Sequence, residues 1–201
     1  MQLPEFFDAA PRIAVRDPLA RFLGAAAEGV IEYRYADVVK LAGHSCPTVA
    51  SAYLMTRAAF KALYPDTLPV RGEIRVELRD GRTAGATGVV ANVVSLLTGA
   101  TNDTGFKGIG GRFDRRNLLH FDAGIDAQLR FTRVDSGAAA GVSARLDAVP
   151  FDPRVASLLP KCLNGVASNE ETMLFQQLWQ ARVRTLLLDF ADDPQVIVVR
   201  H

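Results

Sequence analysis

Val70-Arg71-Gly72-Glu73-Ile74-Arg75-Val76-Glu77-Leu78-Arg79 alternates apolar or small residues with charged ones without a break. Residues two apart in a strand share a face. Val70, Gly72, Ile74, Val76 and Leu78 therefore form a core face, and Arg71, Glu73, Arg75, Glu77 and Arg79 a wet one. Sheets with one solvated face are antiparallel as a rule, because the crossovers of parallel sheets cover both faces. The charged face reads as solvated, with pairing across a two-fold interface as the alternative. Asp80-Gly81 then supplies a turn.

Working outward, residues 88–98 read as an apolar helix, with Val90, Val93, Val94 and Leu97 at helical spacing and Gly99 as its stop. Upstream, Val49, Ala52, Tyr53, Thr56, Phe60 and Leu63 define a helix from Pro47 to Tyr64, stopped by Pro65. Asp37 to Leu41 gives one or two helical turns ending near Gly43, and three β-favouring pieces, Arg12–Val15, Phe22-Leu23 and Val30–Tyr35, suggest a small antiparallel unit. On the C-terminal side, strands at 117–122, 127–133 and 141–146 suggest an antiparallel meander. Ser168-Asn169-Glu170-Glu171 matches a capping box opening a helix that runs to Leu188, with Leu174, Phe175, Leu178, Trp179 and Ala181 as its apolar stripe, and Val196–Val199 is a last strand. Helices and strands come in runs rather than in βαβ alternation. The expected class is α+β, a mostly antiparallel sheet packed against helices.

A chain of 201 residues, 49% hydrophobic, is long enough for one substantial core, and residues 1–201 read as a single domain. The net charge of +1 gives no field to attract nucleic acid or an anionic membrane. Met1 to Asp8 has no basic leader and no apolar segment of the secretory kind, and the longest apolar run, Val89–Leu97, falls far short of a span. The expectation is a cytoplasmic protein in which Cys46 and Cys162 remain thiols, with Cys162 a small buried hydrophobe.

Gly43-His44-Ser45-Cys46-Pro47 carries the chemistry. It places a histidine and a cysteine two residues apart just before a proline suited to the first helical position. Cys46 would then be the N-cap, its sulfur beside unpaired N–H groups, a setting that favours the thiolate that binds metals. A Cys46–His44 nucleophile pair is possible, but a shared metal suits the two better. The glycines at 99, 105, 108, 110 and 111 invite a phosphate reading. Both exact patterns fail: Gly108-Ile109-Gly110-Gly111-Arg112-Phe113 lacks the last glycine of the dinucleotide fingerprint, and no glycine precedes Lys-Ser or Lys-Thr. His120 alternates with apolar neighbours and is either a half-buried strand residue or a remote ligand. His201 is terminal, and no Gly-x-Ser-x-Gly elbow is present.

Residues 43–60 resemble the signature of the FmdE family of formylmethanofuran dehydrogenase components, which opens its core with His-Gly-His-x-Cys-Pro-Gly and a helix. Thr98-Gly99-Ala100-Thr101 is similar to that family's Thr-Gly-Cys-Thr segment, and Phe175–Val183 to its C-terminal core helix. The resemblance spans roughly residues 30–190, and its first segment is the specific one. It implies an α+β core that tends to dimerise and carries a metal, zinc or another divalent transition ion, with His44 and Cys46 as ligands. Three departures bear on that site: Ala42 replaces the family's first histidine, Thr48 its glycine after proline, and Ala100 its second-motif cysteine. With no Cys-x-x-Cys in the chain, the family's zinc-ribbon module is not expected. Asp103 or His120 would complete the ligand set, with water or substrate in an open position. The expected function is metal binding, with loop 99–111 walling a small-molecule pocket. The alternative is a non-catalytic accessory or cofactor-binding homodimeric protein.

Overall fold

The computed structural model describes residues 3–200; His201 lies outside them. Two short helices, α1 (Phe6–Ala9) and α2 (Pro18–Phe22), bracket β1 (Ile13–Arg16), which pairs antiparallel with β2 (Val30–Tyr33). Helices α3 (Tyr35–Ala42) and α4 (Pro47–Leu63) follow, then β3 (Ile74–Leu78) and α5 (Thr87–Thr98). Next come β4 (Leu119–His120), β5 (Leu129–Arg133), β6 (Ala139–Ala144), α6 (Arg154–Leu163), α7 (Asn169–Leu188) and β7 (Ile197–Arg200). The class is α+β. The five-stranded sheet has the order β4-β3-β5-β6-β7, with every pair antiparallel except β3 and β4.

The alternation around Ile74 is realised in its central part. Ile74, Val76 and Leu78 are buried and Arg75 is exposed, while Glu77 pairs across to Arg130 on β5. The pattern fails as strand before residue 74, because Gly72 turns the chain at φ +89° and Arg71 points inward to an ion cluster. Helix α4 packs on α5, β6, β7, α3 and α7, and every residue from Val49 to Thr56 is buried. Small side chains at Ala50, Ser51 and Ala52 permit that approach on all sides. Both thiols are free, and Cys162 is half-buried on α6 rather than fully inside. Among the described residues no helix is long and apolar enough to cross a membrane.

Two further expectations are corrected. Asn117–Asp122 yields only a two-residue strand, since Asn117 and Asp122 both have positive φ, and it pairs parallel to β3 instead of opening a meander. Phe22-Leu23 is no strand. Asp17 caps α2 by accepting from the N–H groups of Leu19 and Ala20, with Pro18 in the first turn, so the segment ends a helix.

Candidate functional site

The turn between α3 and α4 is built by two caps. Gly43 ends α3 in the left-handed region at φ +74°, open to glycine without strain. Three residues on, Cys46 is the N-cap of α4, and its sulfur accepts from the N–H of Val49 at 3.4 Å. His44 lies between, exposed, with Nε2 3.4 Å from the sulfur of Cys46. The other ring nitrogen, Nδ1, is 2.9 Å from the carbonyl oxygen of Ala42. A carbonyl only accepts, so Nδ1 carries the hydrogen, and it is Nε2 that faces the cysteine.

That arrangement suits a shared soft metal. Zinc holds sulfur at about 2.3 Å and imidazole nitrogen at about 2.0 Å, so two such ligands on one tetrahedral ion stand about 3.5 Å apart. The observed 3.4 Å matches that spacing and is also the distance of an ordinary hydrogen bond between Cys46 and Nε2. A backbone carbonyl orienting the distal N–H is also how metal-binding histidines are usually held. The donors present are nevertheless two. Among the described residues no group of three or more His, Cys, Asp and Glu side chains is gathered so as to hold a metal. His120 projects from β4 and bonds the carbonyl of Asn117 at 2.9 Å, while Asp103 is exposed on a turn of the glycine-rich loop. The structure unites His44 with Cys46 and brings neither Asp103 nor His120 to them.

Ser45 fixes the turn from behind. Its hydroxyl is 3.0 Å from the phenol oxygen of Tyr35, a fully buried side chain. Burial pushes that phenol well above its ordinary pKa, so it stays protonated as a hydrogen-bonding group. The carbonyl of Ser45 accepts from Nε1 of Trp179 and from Nε2 of Gln180, each at 3.1 Å. Oε1 of Gln180, beside the same turn, is buried without a hydrogen-bond partner. Sequence reasoning missed this clamp. Trp179 read as part of an apolar stripe, and nothing local links Gln180 to Ser45.

A cavity of about 220 Å³ opens at the first turn of α4. Thr48 and Ser51 contribute hydroxyls, Met55, Leu78 and Leu129 an apolar floor, and Gln128 an amide. The side-chain oxygen of Gln128 accepts from the N–H of Ala144, which leaves its NH₂ as a donor. Asp80 is the one charged lining residue, and Arg79 pairs with it at 3.1 Å. The glycine-rich loop is no wall of this cavity. Thr101, Asn102, Thr104 and Gly105 instead line a separate groove against α5, about 330 Å³ in volume.

Compared with known proteins, the sequence matches no family model and, at a significant level, no curated protein.

Proposed function

We propose that the protein binds a divalent transition metal, zinc in character, through Nε2 of His44 and the sulfur of Cys46, and a small uncharged molecule in the neighbouring cavity. The observation that carries this reading is the 3.4 Å juxtaposition of the two donors, with the histidine tautomer set by Ala42. The resemblance of residues 43–60 to the FmdE signature supports it. Two protein donors leave positions for water or substrate, and a metal held so supplies Lewis acidity toward a carbonyl-type group or a water. The cavity lining carries no cation and one paired carboxylate, which favours a neutral ligand over a phosphate or carboxylate.

Protein purified under reducing, chelator-free conditions is expected to carry about one metal per chain by elemental analysis. His44→Ala and Cys46→Ser should each reduce that content at least tenfold with unchanged circular dichroism. Metal-free wild-type protein that also fails to take up added zinc sinks the proposal.

A second reading, an accessory protein that binds a cofactor without turnover, is favoured by Ala100. It is fully buried where the family's second motif has a cysteine, and its N–H is held by the Thr98 hydroxyl at 3.1 Å. In both readings the protein acts in the cytoplasm as a homodimer. Two free thiols fit a reducing compartment, and the implied tendency of the fold to dimerise supports self-association.

A further inference from the structure

We propose that α7 is the dimer interface, pairing antiparallel with α7 of a second copy about a two-fold axis at Gln177. This rests on the self-association proposed above and gives it a surface.

The wet face of the sheet is poorly suited to the task, because its charges are already matched within the chain. Arg130 holds Glu77 through two hydrogen bonds, and Arg75 stands 3.7 Å from the same carboxylate. Helix α7 differs. One side buries Val183, Leu186 and Leu187 and sends Trp179 and Gln180 to Ser45. The other leaves Asn169 and Gln176 exposed toward one edge and, in line along it, Glu170, Met173, Gln177, Ala181 and Arg184. At 3.6 residues per turn their spacing of three, four, four and three confines them to a strip roughly 80° wide and about 21 Å long.

The strip is its own complement. Reversing it about Gln177 sets Glu170 against Arg184, Met173 against Ala181, and Gln177 against itself. A two-fold operator generates every such pair twice, as an isologous interface requires. The apolar content fits as well: Met173 is 58% exposed, a large side chain opposite a small one. Glu170 makes no ion pair among the described residues, and Arg184 makes only a 4.0 Å contact with Asp189, so both charges are available. Leu163, the last residue of α6, and Val166, in the turn before α7, are 77% and 71% exposed at that end of the helix. Since Trp179 and Gln180 lie within a turn of the axis, pairing would stiffen the helix that holds the Ser45 carbonyl.

Sedimentation equilibrium of the full chain tests the surface. Wild-type protein is expected to be a dimer. Glu170→Arg and Arg184→Glu, each creating two like-charge pairs, should weaken it on the order of tenfold. The double variant Glu170→Arg/Arg184→Glu should recover the wild-type constant, which a mere loss of helix stability would not allow. With Cys46→Ser and Cys162→Ser in place, Gln177→Cys should cross-link to its own copy under a mild oxidant. A monomeric wild-type protein at 100-micromolar order overturns the self-association itself. A wild-type dimer indifferent to both charge reversals, and not cross-linked through residue 177, overturns this surface and leaves self-association standing.

Discussion

Ser45 shows how a single residue ties chemistry to packing. Its backbone carbonyl takes two donors from α7, 134 and 135 residues downstream, and its hydroxyl meets Tyr35, so the turn carrying His44 and Cys46 is held from three directions. Partners that orient a ligand-bearing segment commonly contribute tenfold or more to metal affinity. Trp179→Phe keeps an aromatic side chain but removes the indole N–H together with the pyrrole half of the ring. It is expected to weaken zinc binding about tenfold in a competition titration, with a stability loss of about 1 kcal/mol. Unchanged affinity would separate the clamp from the site. At this scale the sequence was half informative. His44 and Cys46 were legible because both lie on one turn, and the N-cap followed from Pro47. The clamp was not, since an indole N–H and an amide on a long helix announce no partner. Asp103 and His120 were candidates by residue type alone, and type carries no distance.

Among elements, two helices whose C-cap residue is a left-handed glycine make a controlled comparison. Gly43 after α3 and Gly99 after α5 share φ values of +74° and +73°, but a Cβ on Gly43 would meet nothing within 4 Å. On Gly99 it would meet the backbone N of Gly72 at 3.2 Å and the side chains of Arg71 and Arg115 at 3.2 and 3.3 Å. Gly43→Ala is expected to cost about 1 kcal/mol for the backbone conformation. Gly99→Ala should cost roughly 2–3 kcal/mol, because it also displaces the ion cluster; equal melting temperatures would refute the difference. Long helices were the legible elements. Ser168 and Glu171 exchange the expected pair of bonds at the start of α7, α4 and α5 appear where periodicity put them, and β3 keeps only the central part of its expected span. Short elements were not. Two residues of β4 hold no period, and the partner that makes them a strand lies across a 40-residue gap. Helix α6 hid behind Pro160, which sits inside it and reads as a breaker.

On the scale of the molecule, one buried carboxylate joins the peripheral β1–β2 unit to the main body. Asp17 is 2% exposed, caps α2, and receives Nη1 of Arg71 at 2.8 Å and Nη2 of Arg115 at 2.6 Å. Arg71 also donates to the Leu96 carbonyl at the end of α5, and Arg115 comes from the loop that follows it. Burial alone would raise the Asp17 pKa. The N–H of Ala20 and the two guanidinium groups outweigh it and hold the carboxyl below its ordinary 3.8. A depressed carboxylate binds its proton more readily when unfolded, so its stabilisation is complete above the unfolded value and drains away as pH falls through the folded one. Asp17→Asn preserves shape and capping while stranding two buried cations. Urea unfolding at pH 7 should show a loss of about 3–5 kcal/mol. The carboxylates of Asp114, Asp135 and Asp152, each lowered to about 2 by a neighbouring arginine, titrate alike in both proteins and cancel in the difference. The gap between wild type and variant should therefore be flat from pH 7 to about 4 and narrow below that as Asp17 gains its proton. A gap that persists undiminished down to pH 2 would mean that the carboxylate acts through its hydrogen bonds alone and that its charge does not join the two parts.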